Sequence, residues 1–188
     1  MTTSVLPSVY LSLEGLRPGS VLISRKKNKE ELLNKSVVLI LEHDETGSTG
    51  IVINKPAIFP DEQEGAEPLH YGGTYETHRV GILLNDDSCE GRPVWITDGL
   101  FYCERCELLN RHNFRETLIK SGLKAFIGLT VWQAGELEQE IASGNWWMSE
   151  FTKDLLAEQV CSWERMTFRV LKAGARTWYG TNSPISVQ

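Results

Sequence analysis

The chain alternates short apolar runs with polar or glycine-containing segments, and this pattern predicts several β-strands. Three early runs have this form, namely Val21–Ser24, Val37–Leu41 and Gly50–Asn54. The polar residues 42–49 between the last two contain a glycine and suit a hairpin connection. Further strands are predicted near Val80–Leu84 and Val94–Thr97, and a buried one over Lys124–Trp132.

Helical and irregular segments separate these strands. Short helices are predicted within residues 25–34 and 104–121, and a helix over Gly135–Ser143 would turn Leu137 and Ile141 inward. Residues 57–68 hold two prolines and four acids, which predicts an exposed loop. Strands and helices do not alternate in strict βαβ order, so we predict a mixed α+β domain.

The clearest helix is predicted from about Ser162 to Ala173. Ser162 can cap its N-terminus, and Gly174 can end it. One face follows the i, i+3, i+4, i+7, i+8 spacing of a buried surface and consists of Trp163, Met166, Thr167, Val170 and Leu171.

Basic residues form a stripe on the other side of this helix. Its members are Arg165, Arg169, Lys172 and Arg176, spaced four, three and four residues apart. A solvated helix back is one interpretation of the stripe. Contact with a protein or anionic partner is the alternative, helped by neighbouring Trp178 and Tyr179.

Composition limits the classes of protein to consider. The 188 residues are 41% hydrophobic, which suits a single domain with a real core. The longest apolar run is five residues, Val37–Leu41, so a membrane span is not expected. The first residues lack the basic start of a signal peptide, and we therefore expect a cytoplasmic protein.

Charge is unevenly distributed along the chain. The formal net charge is −6, which does not support nucleic acid as a partner. Residues 1–100 carry 9 basic and 15 acidic side chains, whereas the chain from Arg165 to its end carries four bases and no acids. A local contact between this basic C-terminal part of the chain and an anionic partner therefore remains an alternative.

Residues 37–56 contain an apolar strand, Glu42-His43, a Gly-x-x-Gly turn at 47–50, and a second strand that ends in Asn54-Lys55-Pro56. This stretch resembles the hallmark of the AlgH/YqgE family of bacterial proteins. Three more pieces resemble motifs of that family and fall in its order, Leu16–Gly19 before this stretch and Tyr71–Gly73 and Trp132–Ile141 after it.

The chain differs from the family pattern at three places, and at one of them Glu136 stands where the family has glutamine. Thr74 replaces a proline after Gly72-Gly73, and Gly128-Leu129-Thr130-Val131 stands where the family often has Gly-Tyr-Ala-Gly. The motifs span about residues 16–147 of one domain, 1–188, and mark a divergent member. The resemblance implies an α+β fold in which a strongly bent mixed sheet approaches a barrel and is flanked by helices. It supplies no settled activity, although some members are labelled transcriptional regulators.

The matched residues suggest a site. Glu42, His43, Gly72, Gly73 and Trp132 could line one pocket for a small ligand or an enzyme reaction, with Asn54 nearby. His43 is the first candidate histidine and is flanked by Glu42, Asp44 and Glu45. His70, next to the paired glycines, is a second candidate histidine. Each matched residue also has a purely architectural interpretation, in turns, strand ends and core packing.

A pair of cysteines offers a third type of site. Cys103 and Cys106 form a C-x-x-C, which suits a redox couple or half a zinc site, with Cys89 and His112 as further zinc ligands. Four cysteines without an export signal are more typical of reduced thiols.

No nucleotide, zinc-protease or nucleophile-elbow motif is present. We therefore predict a binding or regulatory module without catalysis or cofactor. The alternatives are a ligand pocket or enzyme near His43, and a thiol or zinc protein.

Overall fold

The fold is given by a computed structural model that describes residues 15–25, 31–57, 69–84, 93–97, 99–104, 124–156 and 161–178. For residue 84 and residues 174–178 the backbone alone is described. The loop predicted at 57–68 and the helices predicted within 104–121 lie outside these ranges, apart from their first residues.

Six of the described strands coincide with the predicted runs, and three more, at 70–71, 100–104 and 146–150, were not predicted. They are β1 (Ser20–Ser24), β2 (Val37–Asp44), β3 (Gly47–Val52), β4 (His70–Tyr71), β5 (Tyr75–Leu84), β6 (Val94–Thr97), β7 (Leu100–Glu104), β8 (Ala125–Gln133) and β9 (Trp146–Glu150). The helices are α1 (Glu136–Ala142) and α2 (Trp163–Trp178), with 3₁₀ turns at Glu31–Leu33 and Lys153–Leu156. Residues 42–49 were predicted as the connection between β2 and β3. Both strands extend into this segment and leave only Glu45 and Thr46 between them, so the turn is much tighter than predicted.

The strands form one curled sheet in the order β6-β7-β5-β8-β3-β2-β1-β9. Neighbours on this path are antiparallel, while the short β4 pairs in parallel with β8. Strands β2 and β6 are five positions apart in the order and still contact each other. The sheet therefore curls into a half-barrel, which confirms the strongly bent α+β fold expected from the resemblance.

Strands β1, β2 and β3 are buried on both faces. One face packs inside the curl with Met166 and Val170 of α2, and it contains Val21, Ile23, Val37, Leu39, Leu41, Ile51 and Ile53. The other face packs under Leu137 and Ile141 of α1, and it contains Leu22, Val38, Ile40 and Val52. Two-sided burial explains why the apolar stretches along these strands, residues 21–23, 37–41 and 51–53, are continuous rather than alternating.

Helix α2 confirms part of its prediction and corrects the rest. The Arg165 N–H donates to Ser162 Oγ over 3.2 Å, so Ser162 is the N-cap. The predicted stop at Gly174 is wrong, because the helix continues to Trp178; a glycine inside a helix costs only about 1 kcal/mol. Leu171 is exposed rather than buried, since it lies about 100° around the helix from Val170, which packs into the core.

One carboxylate fixes α1 to the sheet. Glu140 Oε2 accepts hydrogen bonds from Trp132 Nε1 at 3.2 Å and Trp146 Nε1 at 2.7 Å. The two indole rings meet edge to face with centroids 6.3 Å apart. Strands β8 and β9 are four positions apart in the sheet, so this contact joins distant strands beneath one helix.

Replacing Glu140 tests this bridge. We expect Glu140→Ala to lower the free energy of unfolding by about 2–4 kcal/mol, because two buried indole N–H groups lose their acceptor. Urea unfolding measures the change. Gln139→Ala, at the neighbouring exposed position of α1, should shift stability by less than about 0.5 kcal/mol. Equal stabilities of the two variants would show that the bridge contributes nothing.

Candidate functional site

A cleft of about 490 Å³ opens where the β2–β3 turn, the end of β8 and the start of β6 meet. Its walls combine apolar side chains with polar ones. The apolar residues are Pro18, Leu41, Val94, Trp95, Val131 and Trp132, and the polar ones are Glu42, His43, Asp44, Thr46, Ser48, Thr49 and Gln133. Of the predicted pocket residues, Glu42, His43 and Trp132 are therefore brought together.

A β-bulge arranges the polar residues of the cleft. The register between β2 and β3 shifts between Ile40 and Glu42, so that Glu42 lies opposite Thr49 and His43 opposite Ser48. Thr49 is two residues from Ile51 and shares its face, which belongs to the inside of the curl. Ser48 shares the face of Val52, which α1 covers. The bulge thus places Glu42, which stays exposed, on the inner side of the curl and directs His43 toward α1.

His43 links the hairpin to α1. Its Nδ1 lies 2.9 Å from Ser48 Oγ, and its Nε2 lies 3.9 Å from Glu138 Oε1. The second carboxylate oxygen, Glu138 Oε2, is buried and has no hydrogen-bond partner within the described residues. The three side chains form a continuous polar array between β3 and the helix.

This array contains a hydroxyl, an imidazole and a carboxylate, as acyl-transfer sites do. Ser48 nevertheless lies in a central strand that pairs with β2 on one side and β8 on the other. The backbone N–H groups of this part of β3 are therefore used in the sheet and cannot stabilise an oxyanion. The geometry favours a role in positioning the hairpin.

Two carboxylates give the cleft a negative lining. Asp44 Oδ1 accepts hydrogen bonds from the Thr46 hydroxyl at 2.6 Å and the Thr46 N–H at 2.7 Å, which hold the pKa of Asp44 below its ordinary value. Glu42 Oε2 accepts a hydrogen bond from Thr49 Oγ1 at 3.3 Å. Among the described residues that line the cleft there is no lysine or arginine.

Trp95 is a cleft residue that the sequence reasoning missed. Its side chain is 62% exposed, whereas the next residue, Ile96, is fully buried. The sequence feature that could have identified it is side-chain alternation: of two consecutive residues in strand β6, one must face outward. Nothing in the sequence indicated that β6 begins beside the β2–β3 turn.

Gly72 and Gly73 do not line the cleft. A Cβ on Gly73 would lie 1.9 Å from the carbonyl carbon and oxygen of Leu129, and one on Gly72 would lie 2.3 Å from Gly128 O. The Gly72 N–H donates to Ile127 O at 2.8 Å, and Gly72 O accepts the N–H of Val52. The glycines therefore let the chain pass close to β8 instead of presenting free N–H groups to a ligand.

His70 is also separate from the cleft. It pairs with Phe126 on β8, whereas the cleft lies at Trp132, six residues further along that strand. Six residues of strand span about 20 Å. The two candidate histidines therefore do not form one site.

Asn54 and Lys55 brace the loop before β2, at the end of that strand opposite the cleft. Asn54 Oδ1 accepts the Val37 N–H at 2.8 Å, and its Nδ2 donates to Lys35 O at 3.0 Å. The Lys55 ammonium donates to the carbonyls of Leu32 and Asn34, and partial burial lowers its pKa. These contacts support the architectural interpretation of the Asn-Lys-Pro motif.

The basic stripe of α2 is less free than the sequence suggested. The Arg169 guanidinium lies 2.8 Å from Asp154 Oδ2, so its charge is paired. Lys172 lies over the ring of Phe168, with its Nζ 6.0 Å from the centroid. Arg165 is exposed, and the side chain of Arg176 lies outside the described residues. Contact of the stripe with a partner stays a prediction.

The cysteines differ from the expected four reduced thiols. Cys103 is disulfide-bonded, so that expectation is wrong for this residue, and its sulfur is not free to bind zinc. Cys106 lies outside the described residues. Cys161 is a free, buried thiol, and burial raises its pKa to about 12, which leaves it protonated at neutral pH. The described part of the chain holds no group of three or more His, Cys, Asp or Glu side chains placed to bind a metal ion.

The fold and cleft define an α+β half-barrel protein with a pocket at its mouth. A family model described as AlgH-like matches residues 21–171, which includes most of α2. The chain belongs to this family. None of the helices in the described ranges is long and apolar enough to cross a membrane.

Individual relatives agree with this assignment. The chain is 32% identical over 182 residues to a UPF0301 protein of Chlorobaculum tepidum, covering 91% of this chain and 94% of the relative. Another UPF0301 protein, from Chlorobaculum parvum, is 32% identical over 187 residues, with the same two coverages.

Two solved structures share the fold. The solution structure of the AlgH protein from Pseudomonas aeruginosa superimposes with a TM-score of 0.59 at 21% identity, covering 97% of this chain and 94% of that one. A crystal structure of a Corynebacterium diphtheriae protein gives a TM-score of 0.55 at 22% identity, with coverages of 74% and 78%.

Close packing at Gly73 leads to a stability prediction. We expect Gly73→Ala to cost at least about 3 kcal/mol, because the added Cβ meets backbone that cannot move aside. Gly135→Ala is the matched control: its Cβ meets nothing within 4 Å, and only the positive φ of 76° is strained, at about 1–2 kcal/mol. Chemical unfolding compares the two variants, and the reverse order would contradict the packing argument.

The Asp44 carboxylate provides a pH prediction. Its pKa is lowered in the folded protein, so the stability it supplies is present above its unfolded pKa and is lost as pH falls through the folded pKa. Thr46→Ala removes the hydroxyl donor, and we expect the pKa of Asp44 to rise toward its ordinary value. A carbon-detected NMR titration measures this. Thr49→Ala, which removes only the partner of Glu42, should leave Asp44 unchanged; equal shifts in both variants would refute the assignment.

Proposed function

We propose that this AlgH-like protein is a non-catalytic binding module whose ligand occupies the cleft at the mouth of the curled sheet. The main observation in support of this proposal is the cleft itself, which has a volume of about 490 Å³. Ligand sites commonly have volumes of 300–1,000 Å³, mostly apolar walls and a few placed polar groups. Val94, Trp95 and Val131 supply such walls here, and Glu42 and Gln133 supply polar groups.

The contacts around the cleft support binding over catalysis. The Ser48–His43–Glu138 array holds the hairpin against α1, and the strand that carries Ser48 has its backbone paired on both sides. A fixed rim keeps the walls of a pocket in place before a ligand arrives, which lowers the entropic cost of binding. A regulatory role would act through occupancy of this cleft.

The cleft is also favoured over the other two candidate sites. In the stripe of α2, Arg169 is already paired with Asp154. In the C-x-x-C, Cys103 is already disulfide-bonded. The residues of the cleft leave an open concave surface instead.

Amide-shift mapping by NMR tests the proposal with three probes of different charge: agmatine, indole and benzoate. We expect at least one probe to shift the Trp95 indole N–H and the amides of Ser48 and Thr49. Gln133→Trp places a large ring on the cleft wall and should weaken that probe at least tenfold. Gln139→Trp, an exposed position of α1 outside the cleft, should not. Shifts that cluster elsewhere, or no shifts with any probe, would overturn the proposal.

A further inference from the structure

Four of the five tryptophans whose side chains are described contact a carboxylate or a cation of the chain, and the fifth, Trp95, contacts neither among the described residues. Trp132 and Trp146 donate their indole N–H groups to Glu140. Trp147 and Trp163 each have a cation over the ring: the Arg25 guanidinium carbon lies 4.9 Å from the Trp147 centroid, and Lys35 Nζ lies 5.5 Å from that of Trp163. The chain thus repeatedly pairs an indole ring with a cation or a carboxylate.

Trp95 has neither kind of partner within the described part of the chain. It is 62% exposed and is one of the residues that line the cleft, as are Glu42 and Asp44. An exposed indole face attracts a cation, and a nearby carboxylate accepts that cation's N–H groups. The cleft therefore combines two carboxylates with an indole that, unlike Trp147 and Trp163, has no cation partner in the described ranges.

The charged side chains that line the cleft are mainly acidic. Glu42 and Asp44 are held as hydrogen-bond acceptors by Thr49 and Thr46, and no lysine or arginine is among the described lining residues. His43 is the basic side chain of this lining, and its Nδ1 is occupied by Ser48. An anionic ligand would be repelled here, whereas a cationic one would complete the charge balance.

We infer that the cleft binds an organic cation that carries N–H groups, a guanidinium or a primary ammonium on a short aliphatic stem. This inference rests on the proposed function and names its ligand class. The charged group lies over the Trp95 ring and donates to Glu42 and Asp44, while the stem contacts Val94 and Val131. An organic cation fits better than a metal ion, because the indole and apolar walls give a metal ion no ligands and the described residues hold no group of three or more His, Cys, Asp or Glu side chains placed to bind one.

The same chemistry has two sources, a free small cation or an arginine side chain of a partner protein. Agmatine represents the first, and the blocked peptide acetyl-Gly-Arg-Gly-amide represents the second. Both are titrated into the full chain by isothermal calorimetry at low ionic strength, with indole as the neutral comparison. Binding of agmatine at least tenfold tighter than the peptide assigns a free cation, and the reverse order assigns a protein side chain.

Variants separate the contributions of ring and carboxylate. We expect Trp95→Leu to weaken binding of the preferred cation about five- to twentyfold, and Glu42→Gln about three- to tenfold. Both residues are exposed, so the variants should keep the unfolding midpoint of the parent chain. Phe168→Leu, which changes an exposed aromatic of α2 outside the cleft, should leave binding unchanged.

The outcomes distinguish this inference from the proposed function. Indole bound in the cleft without agmatine or the peptide would overturn the cationic ligand class and leave the binding module standing. Cation binding that survives both Trp95→Leu and Glu42→Gln would also overturn the inference. Shifts of cleft resonances by benzoate but not by agmatine, the peptide or indole would overturn the inference alone, and no cleft shift with any of the four compounds would remove both proposals together.

Discussion

Burial of both faces of β1, β2 and β3 is the constraint on which the rest of the structure depends. Strands that expose neither face need cover on each side, and the cover here comes from α2 and the curled strands on one side and α1 on the other. Helix α1 has only seven residues, too few to be stable alone. Its place is fixed by Leu137 and Ile141 in the core and by the Glu140 carboxylate between two indoles.

The candidate site lies where this double burial ends. Before the bulge, β2 alternates between two cores; after it, Glu42 faces the interior at a point where the inner core has run out. His43 turns instead toward α1 and uses Ser48 and Glu138 to hold the hairpin end in place. The bulge therefore separates a side chain that supports the rim, His43, from one that faces the open cleft, Glu42; bulges are common next to functional sites.

Much of the fold could be predicted from the sequence, because its signals are local. Apolar runs predicted six of the nine described strands, Ser162 predicted the start of α2, and Leu137 and Ile141 predicted the buried face of α1. Contacts between distant segments could not be predicted. The paired glycines looked like a ligand loop, and their true neighbour, Leu129, is more than fifty residues away. Trp95 carried no motif, and its importance comes only from the approach of β6 to β2.

The net charge of −6 is distributed unevenly over the structure, with bases at one end of β2 and carboxylates at the other. At the start of β2, Lys35 lies over Trp163 and Lys55 binds loop carbonyls, so these bases are used inside the fold. At its other end, Glu42 and Asp44 remain at an open cleft. The two ends are about 20 Å apart, more than twice the screening length of roughly 8 Å at physiological salt. The first turn of α2 and the acidic cleft therefore act as independent surfaces, and a cation near the cleft experiences chiefly its carboxylates.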